Sequence, residues 1–307
     1  MTSKRPTSSP PPSDSDAFRS GYVALVGRPN AGKSTLFNAC LGQRLSIVTP
    51  KPQTTRGRIL GILTRPSSQV IILDTPGLLE PEYRLHETME HQIEQAARQA
   101  DLTLLLIDAG RPDDRADLVR RFLQQAPGPV IAALNKIDLL PPERVAVVLD
   151  SVRTAFDLQE LVTLSALRGD GVVPLLDLLE SRLPPGPRLY PEEMVAEQPE
   201  RFFVAEFVRQ AAFEQLEDEV PYAVTVMIEE FRERPGRTYI GATLYVERDS
   251  QKGIVIGRGG SRLRAIGTRA RQEIEQFLDV PVYLELWVKV RPDWRRKERD
   301  LKEFGYG

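Results

Sequence analysis

Short apolar runs alternate with longer amphipathic segments from Tyr22 to about Leu183. The runs are almost continuous and rich in aliphatic and β-branched residues, which is typical of strands covered on both faces. They read YVALVG, RILGILT, QVIILD, LTLLLID, VIAALN and ELVTLS. Helical patterns lie between most of them, at about 33–42, 84–100, 114–126, 142–156 and 172–182. Strands that alternate with helices predict an α/β fold with a mostly parallel sheet.

A change in composition divides the chain after this pattern. The stretch LPPGPRLYPEE contains four prolines and a glycine, which predicts a linker over residues 185–199. The pattern beyond it is helix, strand, strand, helix and strand, which predicts a smaller α+β domain over 200–307. The first domain is then expected over 20–184, and the Ser/Pro-rich residues 1–19 are expected to form a disordered tail.

Composition and charge narrow the class of protein. Hydrophobic residues make up 41% of the chain and charged residues 27%, which is ordinary for a globular protein. Because the formal net charge is only −2, binding to nucleic acid has to come from a local basic patch. The single cysteine, Cys40, cannot form an internal disulfide and is consistent with a reducing cytosol. No apolar stretch approaches the roughly 20 residues that span a bilayer, so a cytoplasmic protein is expected.

The stretch GRPNAGKST, residues 27–35, follows the first predicted strand and opens a helix. It matches G-x-x-x-x-G-K-[ST], in which glycines let the backbone wrap a phosphate and the helix N-terminus supplies positive potential. An ordinary glycine turn is the alternative, but the complete motif between strand and helix favours phosphate binding. Lys33 is expected to neutralise the β- and γ-phosphates, and the Ser34 hydroxyl to bind Mg²⁺. The expected nucleotide-binding residues are Gly27, Arg28, Pro29, Asn30, Ala31, Gly32, Lys33, Ser34 and Thr35.

The stretch NKID, residues 135–138, ends the strand VIAALN and predicts which base is bound. The Asp138 carboxylate can accept hydrogen bonds from the ring N–H and the amino group of guanine, a pair that adenine does not offer. Asn135 and Lys136 are expected to support the loop and cover the base. Backbone N–H groups for the guanine oxygen are expected at the end of a later strand, from Ser165, Ala166 and Leu167.

The stretch DTPG follows the strand QVIILD and extends the phosphate site. Asp74 is expected in the Mg²⁺ shell, directly or through water, and the N–H of Gly77 is expected to point at the γ-phosphate. Residues 49–58, called the switch loop below, are polar and without periodicity, so a mobile loop is expected there. Thr54 or Thr55 could bind Mg²⁺ when the γ-phosphate is present, and Thr55 is preferred. The nucleotide contacts expected from DTPG are Asp74, Thr75, Pro76 and Gly77, and the metal ligands are Ser34, Thr55 and Asp74.

The second domain contains G-x-x-G at residues 257–260, the GxxG turn, after the apolar run IVI and before a helix. Bare glycines let backbone approach a sugar-phosphate chain, and the helix N-terminus favours phosphate. Six basic and no acidic residues lie between Ser250 and Arg271, which indicates a local RNA-binding patch. A solvated helix face after a glycine turn is the alternative. The expected RNA-binding residues are Lys252, Gly257, Arg258, Gly259, Gly260, Arg262 and Arg264.

Four aromatic side chains outside these motifs carry further expectations. Trp287 lies in the predicted strand YLELWVKV and is expected in the core. Trp294 lies in a C-terminal stretch with seven basic and four acidic residues, which could contact RNA or an anionic surface, or form an exposed mixed-charge helix. His86 and His91 lie among polar residues and are expected on the surface.

Taken together, GRPNAGKS, PQTTR, DTPG, NKID, SAL and VIGRGG resemble the Era family of bacterial GTPases over about residues 20–300. The resemblance implies a Ras-like GTPase domain followed by a type II KH domain, with GTP or GDP and Mg²⁺ as ligands. It also implies binding near the 3′ end of small-subunit ribosomal RNA and a role in assembling the small ribosomal subunit. Peripheral contact with the cytoplasmic membrane face is ascribed to the family, and we expect a monomer.

The chemistry of hydrolysis is the least determined part. Many nucleotide switches place a water-orienting glutamine where this chain has Leu78. GTPases that resemble this chain use K⁺, held by an asparagine at the place of Asn30, and the alternative is that Asn30 only ties down its own loop. The expected catalytic residues are Lys33, Thr55, Gly77 and Asn30. Slow intrinsic hydrolysis is expected.

Three functions compete. The first is a GTP-hydrolysing switch that places an RNA-binding domain during ribosome assembly. The second is a non-hydrolysing RNA-binding protein with a structural nucleotide site, which Leu78 brings into consideration. The third is a tRNA-modifying or membrane-remodelling GTPase, which the lack of a modification-site cysteine constellation or a long helical stalk disfavours.

Overall fold

The computed structural model describes residues 18–306, so most of the predicted N-terminal tail lies outside the described residues. The first domain alternates strands and helices as the apolar pattern predicts. Its strands are β1 (Arg19–Gly27), β2 (Ile59–Thr64), β3 (Ser68–Asp74), β4 (Leu102–Asp108), β5 (Val130–Asn135) and β6 (Leu161–Thr163). Its helices are α1 (Lys33–Leu41), α2 (Arg84–Gln99), α3 (Ala116–Gln125), α4 (Pro142–Phe156) and α5 (Val172–Arg182).

The six strands form one sheet in the order β2-β3-β1-β4-β5-β6. Only β2 runs antiparallel, because it joins β3 through a tight hairpin, while the other neighbours pair in parallel through helical connections. The register pairs Leu25 with Asp74 and Asp108 with Asn135. The carboxyl ends of the parallel strands therefore bring DTPG, NKID and the phosphate-binding loop to one edge, where ligands bind in open α/β sheets.

Side chains on both faces of this sheet are buried, as the almost continuous apolar runs predict. Val23 and Leu25 of β1 pack on one side, whereas Ala24 and Val26 pack on the other. Cys40 lies in the first of these layers, and burial raises the pKa of its thiol to about 12. At that pKa the sulfur stays protonated near neutral pH, so Cys40 is a packing residue.

Residues 185–199 lie against the first sheet. Pro185 pairs with Arg19 at the start of β1, and Ala196 pairs with Gly61 in β2. The backbone N–H of Ile62 donates to the carbonyl of Val195 over 2.9 Å. The proline-rich segment thus adds backbone hydrogen bonds to the sheet edge before the second domain begins.

The second domain contains the predicted helix, two strands, helix and strand in that order, together with two short helices, before the first strand and after the second, that the pattern does not predict. Its sheet has the order β7-β8-β9, with β7 and β8 antiparallel and β8 and β9 parallel. The apolar run IVI before the GxxG turn is the end of a helix, so two helices flank that turn. The elements are α6 (Glu200–Gln215), α7 (Val220–Ala223), β7 (Thr225–Arg234), β8 (Arg237–Val246), α8 (Asp249–Ile256), α9 (Ser261–Leu278), β9 (Val282–Val290) and α10 (Glu298–Glu303).

Three aromatic residues lie where the sequence pattern does not place them. Trp294 is fully buried between the domains and donates its indole N–H to the carbonyl of Ala223 over 2.9 Å. His86 is only 3% exposed, because the C-terminal stretch covers the start of α2. Trp287 is 40% exposed, because its side chain points to the face of the small sheet that the helices do not cover. The predictions of an exposed His86 and a buried Trp287 were therefore wrong.

Candidate nucleotide site and RNA-binding groove

The phosphate-binding loop wraps tightly around the start of α1. Gly32 has a φ of 97°, and a Cβ there would lie 2.2 Å from Asn135 Nδ2, so only glycine fits. The ammonium group of Lys33 donates to the carbonyls of Gly27 and Arg28 over 3.0 and 2.9 Å. Burial lowers the pKa of Lys33 to about 8; the Asp74 carboxylate opposes this shift and Arg28 adds to it. An incoming phosphate would supply the second anion that this buried ammonium group lacks.

The three predicted metal ligands meet at one point. Ser34 Oγ lies 2.9 Å from both Asp74 Oδ2 and Thr55 Oγ1. Ser46, which the sequence analysis did not single out, donates to the same Asp74 oxygen over 2.7 Å. Asp74 Oδ1 is buried and has no hydrogen-bond partner among residues 18–306. Oxygen donors from one carboxylate and two hydroxyls, beside a phosphate site, suit Mg²⁺, which takes its remaining ligands from water and phosphates.

The base-recognition residues are joined by one asparagine. Asn135 donates to the carbonyl of Ala31 over 2.8 Å and accepts from the N–H of Ala166 over 2.9 Å. This amide therefore holds the phosphate-binding loop, NKID and SAL together. Lys136 forms an ion pair of 2.7 Å with Asp108, a residue that the sequence analysis missed. Asp138 Oδ1 is buried without a partner among the described residues, which leaves it free to accept from guanine.

A cavity of about 690 Å³ runs from the phosphate-binding loop and the switch loop to Lys136, and neither Asp74 nor Asp138 lines it. Its size is in the range of a small-molecule site. Several of the predicted nucleotide-binding residues do not line this cavity. Thr75 donates its hydroxyl to the carbonyl of Leu25 over 2.7 Å, and Arg28 pairs with Asp114 over 2.8 Å. Leu167 is exposed beside the base-recognition residues. The cavity is lined by Pro29, Asn30, Gly32, Lys33, Ser34, Thr35, Ile47, Val48, Thr49, Pro50, Gln53, Thr54, Thr55, Gly77, Asp108, Gly110, Arg111, Lys136 and Leu139.

Leu78 and Asn30 have different surroundings. The Leu78 side chain is buried in the core between α2 and the sheet, so it holds its turn in place and cannot reach water at the phosphates. Asn30 has a φ of 62°, lines the cavity, and donates its amide to the carbonyl of Pro50 over 2.9 Å. It therefore ties the phosphate-binding loop to the switch loop. Its side-chain oxygen makes no hydrogen bond to the described residues and can therefore coordinate a cation.

The GxxG turn and a groove beside it form a second site. Gly257, Gly259 and Gly260 have φ values of 72°, 56° and 76°, which place backbone at the surface between α8 and α9. An adjoining groove of about 390 Å³ has a basic rim and an apolar floor from α9 and β9. Its lining residues are Gly260, Leu263, Arg264, Gly267, Thr268, Arg271, Leu284 and Leu286.

The basic residues around the GxxG turn are not equally available. Lys252, Arg258 and Arg264 form no ion pair within residues 18–306, whereas Arg269 pairs with Glu214 over 2.9 Å and also with Glu273. Arg262 donates to the carbonyl of Ile254 over 3.0 Å, which braces the turn. The charge available to a phosphate backbone is therefore concentrated at the turn and the first part of α9.

Comparisons with known proteins match both domains. The model of the family "50S ribosome-binding GTPase" matches residues 22–136, and the model "KH domain" matches residues 219–295. GTPase Era of Geobacter sp. strain M21 is 45% identical over 94% of this chain and 98% of its own length. GTPase Era of Synechocystis sp. is 46% identical over 94% of this chain and 93% of its own length.

The similarity extends to solved structures. A crystal structure of Era in complex with MgGDPNP and nucleotides 1506–1542 of 16S ribosomal RNA is 41% identical and has a TM-score of 0.90. It covers 94% of this chain and 99% of that chain. The predicted Ras-like domain followed by a type II KH domain is confirmed. Because both domain models match and a GTPase Era is 45% identical over 94% of this chain, the chain belongs to the Era family of GTPases.

Proposed function

We propose that this GTPase is a switch that binds small-subunit ribosomal RNA near its 3′ end through its KH domain during assembly of the small subunit. The observation that carries this proposal is the GxxG turn with its unpaired basic residues, next to a groove with an apolar floor. An Era of known structure with the same two-domain fold holds nucleotides 1506–1542 of 16S ribosomal RNA. Single-stranded RNA suits such a groove, because bases can be splayed over apolar residues while the backbone follows the glycines.

The nucleotide site supports GTP as the bound ligand with Mg²⁺. Ser34, Thr55 and Asp74 would hold the metal, which supplies charge neutralisation at the β- and γ-phosphates. Lys33 holds its proton near neutral pH and adds a charge on the other side of the phosphates. Because Thr55 belongs to the switch loop, loss of the γ-phosphate would remove one reason for that loop to stay in place.

Asn30 is proposed to hold a K⁺ ion beside the phosphates. Its amide nitrogen donates to the carbonyl of Pro50, and Asn30 lines the cavity that the phosphates would enter, so its side-chain oxygen is left to bind a cation. A cation there would stabilise charge that develops in the transition state, which the apolar side chain of Leu78 cannot do. Faster hydrolysis in KCl than in NaCl at equal ionic strength, lost in Asn30→Ala, is the expected result.

RNA contacts are proposed for the turn, with Lys252, Arg258, Arg262 and Arg264 facing phosphates and Leu284 and Leu286 under bases. Membrane contact and a monomeric state remain predictions. Among residues 18–306, no helix combines the length and the apolar character that a membrane crossing requires.

Crosslinking in cells followed by sequencing of the bound RNA tests the proposal. We expect reads concentrated at the 3′ end of small-subunit ribosomal RNA, and their loss in the double variant Arg258→Asp, Gly259→Asp. The double variant Arg120→Asp, Gln124→Asp, at two exposed positions of α3 in the first domain, changes the net charge by the same amount outside the groove and should keep the reads. Reads spread over tRNA, or an unchanged pattern in the double variant, would contradict the proposed function.

A further inference from the structure

Gln53 is the one glutamine among the residues that line the nucleotide cavity. It lies in the switch loop two residues before Thr55, and Lys33, Thr55 and Gly77 line the same cavity. Its φ of 59° is in the left-handed region, which a side chain other than glycine or asparagine adopts only when its surroundings hold it. The surroundings of Gln53 therefore hold this residue in place at the cavity.

His86, the first-turn residue of α2, supplies that constraint. The backbone N–H of Glu82 donates to His86 Nδ1 over 3.3 Å, so the ring proton is on Nε2. His86 Nε2 lies 3.3 Å from Gln53 Oε1 and donates to it. Burial, together with Arg295 and Arg56, lowers the pKa of His86 against the opposing Glu82 carboxylate. The neutral tautomer that this contact requires is thus the one that the surroundings favour.

His86 is held in turn by the second domain. Its ring lies 3.8 Å from the ring of Tyr83, measured between centroids. The guanidinium group of Arg295 lies 4.9 Å from the Tyr83 ring centroid and pairs with Glu247 at the end of β8. A continuous set of contacts therefore runs from the small sheet through Arg295, Tyr83 and His86 to Gln53.

We propose that Gln53 supplies the hydrogen-bonding amide that Leu78 cannot supply in GTP hydrolysis, and that His86 is its positioning residue. Gln53 lines the cavity, and its amide nitrogen makes no hydrogen bond within residues 18–306, so both of its protons remain available to a ligand. The donor from His86 occupies one lone pair of Oε1 and polarises the amide, which strengthens its N–H groups as donors. The second lone pair can accept from a water molecule.

The step itself is ordinary hydrolysis. The water oxygen forms a bond to the γ-phosphorus while the bond from phosphorus to the β–γ bridging oxygen breaks. The bridging oxygen leaves with GDP, and the water proton ends on the released phosphate. Gln53 holds the water and donates to the phosphoryl oxygens, where charge spreads in the transition state, and it is neither consumed nor charged.

Single-turnover hydrolysis by Gln53→Ala is the first test. Loss of one aligned donor lowers rates on the order of 100-fold in other enzymes, and we expect at least about a tenfold loss here. Affinity for GDPNP should stay within about twofold, while affinity for GDP with aluminium fluoride, which mimics the transferring phosphoryl group, should fall with the rate. A rate within about twofold of the unsubstituted chain would overturn the proposal.

The role of His86 is tested by a double-mutant cycle. His86→Ala should slow hydrolysis less than Gln53→Ala, and the double variant should be no slower than Gln53→Ala alone, because His86 acts only through Gln53. Independent, additive losses would show that His86 does not position Gln53.

Gln92→Ala is the matched control for damage to the domain interface. Gln92 also lies on α2 and donates across the interface, to the carbonyl of Tyr306 over 3.2 Å, but it does not line the cavity. We expect its hydrolysis rate to be unchanged. Equal slowing in Gln92→Ala and Gln53→Ala would mean that interface packing, rather than the Gln53 amide, sets the rate.

Discussion

At Lys33, burial and the Asp74 carboxylate shift the pKa of the ammonium group in opposite directions. Burial lowers the pKa of its ammonium group to about 8. Bound phosphates would raise that pKa again, so the protonated form binds much more tightly than the neutral amine. Affinity for GDPNP should therefore be constant below about pH 8 and fall by up to about tenfold per pH unit above it.

Calorimetry from neutral pH to about pH 9.5 measures this effect. Lys33→Ala should bind GDPNP weakly at every pH and lose the decline in the alkaline range, because no group remains to release the proton. Arg28→Met is the comparison, since its guanidinium group pairs with Asp114 and its loss leaves the Lys33 ammonium group in place. A flat affinity in the unsubstituted chain would contradict the assigned role of Lys33.

Asp138 carries the choice of base, and its unpartnered buried oxygen makes that choice testable. Asp138→Asn replaces an acceptor by a donor, which opposes the guanine N–H groups but matches the carbonyl of xanthine. We expect the preference for GTP over XTP to reverse in competition binding, with the melting temperature unchanged. A variant that still prefers GTP would remove Asp138 from base recognition.

At this scale the sequence predicts residues that belong to a contiguous motif and misses those that reach the site from elsewhere. Lys33 and Asp138 can be recognised because their spacing encodes their contacts. Ser46 and Asp108 bond to motif residues across the sheet edge, and no local pattern marks them. The predicted exposure of His86 was wrong because the residues that bury its side chain lie about 200 positions away in the sequence, around Trp294 and Tyr306.

The α8–turn–α9 unit shows how one element forms a binding groove. Gly267 lies on the face of α9 that lines the groove, and a Cβ there would lie 3.3 Å from Leu286. A larger side chain would fill the groove floor while leaving the surface charges in place. We therefore expect Gly267→Val to weaken RNA binding by at least about tenfold, which corresponds to a loss of about 1.4 kcal/mol.

Gly253→Val on α8 is the matched control, because a Cβ at Gly253 meets nothing within 4 Å. Both substitutions place a β-branched residue inside a helix, so both change intrinsic helix stability alike. Fluorescence anisotropy with a single-stranded RNA from the 3′ end of the small-subunit RNA separates them. Equal affinities of the two variants would exclude the groove floor from RNA binding.

At the scale of elements the apolar pattern predicts the order of strands and helices well, because period and length distinguish the long segments. It does not predict α8, whose last residues are the apolar run IVI, because three apolar residues fit a strand or a helix end equally well. It also fails at Trp287, because alternation along β9 does not reveal which face the helices cover. Both failures concern short segments whose partners are distant in sequence.

The switch loop of the first domain forms hydrogen bonds to the second domain and helps to hold the two domains together. Arg56 is buried and donates to the carbonyls of Val224 and Tyr222 over 2.7 and 2.8 Å, at the end of α7. Its guanidinium group lies between the rings of Phe213 and Trp294, at 5.6 and 5.7 Å from their centroids. Among residues 18–306 it has no carboxylate within ion-pair distance. A buried charge at a helix C-terminus and between aromatic faces is stabilised only while the domains stay docked.

Arg56→Met removes this charge and keeps most of the side-chain volume. Hydrogen bonds to charged groups contribute about 1.5–3 kcal/mol each, and the carbonyls left behind would be buried without a donor. We expect the domains to separate more often, so small-angle X-ray scattering should give a larger radius of gyration and protease should cleave residues 185–199 faster.

Arg58→Met is the control, because Arg58 lies in the same stretch but bonds Gln99 of its own domain. Since Thr55 precedes Arg56, looser docking should also lower affinity for GDPNP with Mg²⁺ more than affinity for GDP. Scattering curves that coincide for the two variants would mean that other contacts, such as those of Trp294, suffice to hold the domains together.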